Sequence, residues 1–196
     1  MSETLTSAEA ARLVARAQRW EGSLRQRTEG ITWMVWGIAT AAMFLTYEWA
    51  GTRGAPDWSF AVLWIPWVLA GNMTSYALWR SAALTRDPDA PTLGGRRHVG
   101  LIVVFVLVFA SMSLLRPTSW SVPMALVGVV WSVLGLLVPG MSRTGRLVSA
   151  VVGLAVAAVA LLLTAVDLTE PIAGILAATS VGFFALCGGL WQTLHA

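Results

Sequence analysis

Trp58 to Trp79 reads WSFAVLWIPWVLAGNMTSYALW, an apolar run long enough to cross a bilayer, whose hydrocarbon core takes about 20 residues of helix. It is not an inert anchor, because it carries Pro66 within the run, Asn72 near its centre and four tryptophans. A proline inside a helix supplies no N–H, so the carbonyl of Val62 would need a donor from a neighbouring helix, a hydroxyl or water. Trp64 and Trp67 fall seven and four residues before Gly71, which places both rings over one glycine gap on a single helix face. Two readings stay open: the wall of a pocket inside the membrane, or a kinked helix at the centre of a bundle with its rings filling gaps.

The rest of the chain has the same character. Of its 196 residues 57% are hydrophobic and only 12% charged, well short of the charged quarter of a soluble domain. Apolar runs occur at 31–49, 58–79, 99–115, 120–138, 147–166 and 172–191. They predict an all-α integral membrane protein: a six-helix bundle of three antiparallel hairpins over residues 31–196, preceded by an amphipathic helix over residues 1–30. The later runs are rich in Gly, Ala and Ser, including Gly128, Gly135, Gly153, Gly182 and Gly188, which lets helices approach closely.

In residues 1–30, Thr6-Ser7-Ala8-Glu9 reads as a capping box that opens a helix. Leu13, Ala17, Trp20 and Leu24 then form an apolar stripe flanked by Arg12, Arg16 and Arg19. Such a helix suits the cytoplasmic membrane surface; docking on the protein's own loops or on a partner are the other placements. Glu3, Glu9, Glu21 and Glu29 before the first run do not fit a secretory signal.

All 13 basic residues are arginines. With the N-terminus inside, Arg12, Arg16, Arg19, Arg25, Arg27, Arg80, Arg86, Arg96, Arg97, Arg143 and Arg146 are cytoplasmic, and only Arg53 and Arg116 are outside. The positive-inside bias thus puts both termini in the cytoplasm and the bundle in a plasma (cytoplasmic) membrane. The net charge of +3 is then a property of one face, drawn to anionic headgroups rather than to nucleic acid. The longest connection, residues 80–98, is the natural place for a protein partner, and self-association into a homo-oligomer stays open.

Little in the chain supports chemistry. A retinal Schiff base needs a lysine and there is none; His98 and His195 both fall at the inner side, so neither a bis-histidine haem nor a zinc site is expected. Cys187 has no partner for a disulfide and reads as a small packed hydrophobe. The external carboxylates lie a bilayer away from both histidines, so no catalytic set assembles and no cofactor is implied. What remains is an outward-opening aromatic group, with Trp64, Trp67, Gly71, Asn72, Tyr76 and Trp131 in the membrane and Glu48 and Asp57 above it. Aromatic faces near carboxylates hold cationic or amphiphilic molecules. Trp33, Trp36, Trp49 and Trp191 read instead as belt residues at the headgroups. The expected function is therefore a non-catalytic membrane subunit, either of transport type and handling an apolar or amphiphilic small molecule, or a scaffold recruiting a cytoplasmic partner through its Arg-rich inner face.

Overall fold

A computed structural model describes residues 6–56, 59, 62–83, 121–137, 141–166 and 170–196. Among these the regular elements are five α-helices: α1 Ser7–Thr52, α2 Ile65–Ala83, α3 Ser121–Leu137, α4 Arg143–Ala165 and α5 Glu170–Leu194. Three of them, α1, α4 and α5, are long and apolar enough to cross a membrane. The α3 helix is shorter, with its apolar part at Met124–Val133. The α2 helix is more polar, carrying Asn72, Thr74, Ser75, Arg80 and Ser81. The expected run at 99–115 lies outside the described residues. The expected six-span bundle is thus corrected to five described helices, of which three have the length and hydropathy of a span.

The α1 helix opens as expected, with the Thr6 side chain accepting from the Glu9 N–H and the Glu9 carboxylate accepting from the Thr6 N–H at 2.9 Å. It does not stop before the apolar run. All 46 residues form one helix, about 69 Å long at 1.5 Å per residue, more than twice the hydrocarbon thickness. The break expected near residue 30 is absent because packing holds Gly30 in place: α5 comes so close that a Cβ there would meet the Gly189 carbonyl oxygen at 2.6 Å. Gly22, with nothing within 4 Å of its missing Cβ, weakens the helix by about 1 kcal/mol without ending it.

Small residues set the pairings. On one side Gly30 and Gly37 of α1 pack against Gly189 and Ala185 of α5. On the other, Gly128 and Gly135 of α3 face Gly153 and Ser149 of α4, the Gly128 position lying 2.6 Å from the Gly153 carbonyl oxygen. Close approach of this kind maximises van der Waals contact where lipid supplies no hydrophobic drive. The three-hairpin scheme pairs the fifth run with the sixth; the tightest pairs are instead α1 with α5 and α3 with α4. The α4 and α5 helices join the two pairs, with Gly188 against Val148 and Val152. Met43, Phe44, Met124, Trp131, Val156 and Val181 fill the shared core.

The α2 helix lies against α1 on its own. It begins at Ile65, so Pro66 occupies its first turn rather than its middle. The Val62 carbonyl, which a mid-helix proline would orphan, accepts from the Ile65 N–H at 3.1 Å. A proline in the first turn gives up a donor that no helix satisfies anyway. The kink expected from Pro66 is therefore a helix start.

Candidate functional site

The residues expected to form a pocket on the second run are distributed by packing. The Trp67 indole Nε1–H donates to Thr46 Oγ1 of α1 at 3.0 Å. Gly71 is covered by the ring of Trp36, 3.2 Å from where a Cβ would stand. The Asn72 side-chain amide donates to the Val68 carbonyl of its own helix at 2.9 Å. Trp64 is buried with Val68, whereas Tyr76 points outward and is exposed. Trp131 belongs to α3 and meets Trp33 of α1 edge to face, ring centroids 5.3 Å apart. Glu48 is half-buried near the far end of α1, and Asp57 lies outside the described residues. Trp67 and Gly71 thus contact α1, and Trp64 and Val68 are buried.

Two belt assignments change with this. Trp33 is a core residue and Trp36 is the lid over Gly71, because both lie on the α1 faces that α3 and α2 cover. Trp49 is exposed beneath Arg53, whose guanidinium carbon stands 5.4 Å from its ring. Cys187, expected to be packed, is exposed on α5. His195 stacks on Trp191 at 4.9 Å, and His98 lies outside the described residues.

The most organised polar group is one the sequence does not single out. Glu29 is 3% exposed and receives donors from three separate parts of the chain. The Ser142 N–H donates to Oε1 at 2.9 Å and the Ser142 hydroxyl to Oε2. Gln192 Nε2 of α5 donates to Oε2 at 2.8 Å. Arg25, one turn back on α1, reaches Oε1 at 3.3 Å and forms the ion pair. Ser142 is itself the N-cap of α4, its hydroxyl accepting from the Gly145 N–H at 2.9 Å. Gly145 is required there, since a Cβ would strike the Glu29 carboxylate. A carboxylate beside the start of α4 also meets the positive end of that helix's dipole. Next to it, Gln26 Nε2 donates to the backbone carbonyls of Gln192 and His195, at 3.4 and 3.1 Å, and closes the last turn of α5.

One end of the bundle is therefore locked by Glu29, Ser142 and Gln192, and the residues beyond that lock on α1 have no such cover. Leu13, Val14, Trp20 and Leu24 are exposed, Trp20 by 75%, on the same length of helix as Arg12, Arg16 and Arg19. Among the described residues no three His, Cys, Asp or Glu side chains gather as a metal site. Comparison with protein families, with curated proteins and with solved structures finds no match to this chain.

Proposed function

We propose that the chain is a non-catalytic membrane interaction subunit that presents the first half of α1, residues 7–27, to a cytoplasmic partner protein. The supporting observation is that α1 runs unbroken past the Glu29 lock with an apolar stripe and an arginine flank both exposed. The lock fixes the direction in which this arm leaves the bundle. A helix with anchors at Leu13, Ala17, Trp20 and Leu24 fits an apolar groove on a partner, and Arg12, Arg16 and Arg19 call for carboxylates along its rim.

The side follows from the arginines. Arg25 and Arg27 lie beside the lock, Arg143 and Arg146 open α4 next to it, and Arg80 ends α2, which runs antiparallel to α1; Arg53 is at the opposite end of α1. By the positive-inside rule the arm and both termini are cytoplasmic, in the plasma membrane. A ligand-handling role on α2 would require the Trp67–Thr46 and Gly71–Trp36 contacts to open, so the scaffold role is preferred.

The test places a photo-crosslinking amino acid at Trp20 of the full chain in cell membranes. The expected result is a discrete protein adduct heavier than the chain alone and distinct from a doubled chain, lost when Arg12, Arg16 and Arg19 are changed together to Glu. Crosslinking to lipid alone would overturn the proposal, and an adduct of doubled chain mass would replace the partner with a second copy.

A further inference from the structure

Beside the lock, a surface groove runs along the seam of α4 and α5. Its mouth, about 560 Å³, is lined by Arg143, Arg146, Leu147 and Trp191. It adjoins an open, apolar surface depression of about 230 Å³ along Leu147, Val151, Gly188 and Trp191. Along its floor α5 packs closely on α4 at Gly188, where a Cβ would meet Val152 Cγ2 at 2.6 Å and Val148 Cγ1 at 2.9 Å. Both arginines are exposed, and among the described residues the ion pair is Arg25 with Glu29, so neither Arg143 nor Arg146 is paired with a carboxylate of those residues.

We infer that this groove is a binding site for one anionic phospholipid of the surrounding leaflet. The order of chemistry along it matches such a molecule: two guanidiniums for a phosphate-bearing headgroup, an indole at the level of the glycerol, then an apolar track for an acyl chain. Planar guanidinium groups form paired hydrogen bonds with phosphate oxygens, and basic pockets between spanning helices at the membrane surface select anionic headgroups. The Trp191 ring, held by its stack on His195, serves both segments. This goes beyond the diffuse attraction of an arginine-rich face, because it specifies one lipid at one place. It rests on membrane insertion and not on the arm's having a partner.

The site is tested by native mass spectrometry of the full chain in mild detergent, titrated with phosphatidylglycerol and, separately, with phosphatidylcholine. One phosphatidylglycerol should bind at least tenfold more tightly than phosphatidylcholine. The double variant Arg143→Gln, Arg146→Gln should lose that preference, and Leu147→Trp, which fills the track from an exposed position, should weaken binding about tenfold. The double variant Arg12→Gln, Arg16→Gln, removing the same charge from the arm, should bind as the parent does. Equal loss in both double variants, or no preference between the two lipids, would overturn the proposal. Displacement of the lipid by millimolar inorganic phosphate would also overturn it, since the acyl track would then contribute nothing.

Discussion

Glu29 ties together segments that are far apart in sequence, its partners Ser142 and Gln192 lying 113 and 163 positions away. That separation is why the sequence does not reveal it: in one dimension it is an acid two residues before an apolar run, no different from Glu21. Removing the carboxylate would leave the buried Gln192 donor and the half-buried Ser142 donors unmatched, at about 1–3 kcal/mol for a fully buried group and less for a half-buried one. Glu29→Leu should therefore lower the unfolding midpoint in detergent by the equivalent of roughly 3 kcal/mol, while Glu21→Gln, exposed on the arm, should stay within about 0.5 kcal/mol of the parent. At the other end of the arm, the hydrogen bonds from Thr6, side chain first and then backbone, hold the Glu9 carboxyl below its ordinary value of 4.5. A lowered folded value means that capping is complete above pH 4.5 and is lost as the pH falls below it. The protection of the Glu9 amide relative to its intrinsic exchange rate should fall over that acid range in the parent, and Thr6→Ala should lack that protection at every pH.

Helical elements were legible wherever the pattern is local. The capping box, the small-residue interfaces of the later runs and the apolar stripe of the arm are all present as the sequence implies. The errors concern elements whose limits are set by neighbours. Pro66 reads as a kink only if the helix is assumed to fill the whole run from Trp58; with the start at Ile65 it is a first-turn proline. Pro66→Ala should therefore leave the helix content and midpoint nearly unchanged, whereas a mid-helix proline would give a gain of about 3 kcal/mol on removal, measurable by circular dichroism during thermal unfolding. The glycines of α1 divide in the same way. Gly22→Ala should stabilise by about 0.5–1 kcal/mol, since the new methyl meets nothing and the backbone loses freedom only in the unfolded chain. Gly30→Ala should destabilise despite the same propensity gain, because Thr193 and the Gly189 carbonyl oxygen occupy the space. Opposite signs from one substitution at two sites on one helix separate propensity from packing.

For the molecule as a whole, membrane character was legible from composition alone, since an apolar majority with so few charges leaves no soluble core to build. The candidate pocket was less so. Spacing could not say that α1 meets Trp67 and Gly71 through Thr46 and Trp36. A stripe of rings at helical spacing looks the same whether it awaits a ligand or a helix. What emerges is a bundle fastened at one end by the Glu29 junction, from which the first half of α1 continues as an arm. The measurement that tests this most directly is the distance between spin labels at Val14 and Leu45, both exposed on α1, in the full chain reconstituted in a bilayer. One continuous helix puts these positions about 46 Å apart at 1.5 Å per residue, whereas a right-angle turn at Gly30 that lays the arm on the membrane surface would bring them to about 33 Å. A distribution centred near the longer value is the predicted result, and one centred near the shorter would contradict the projecting arm.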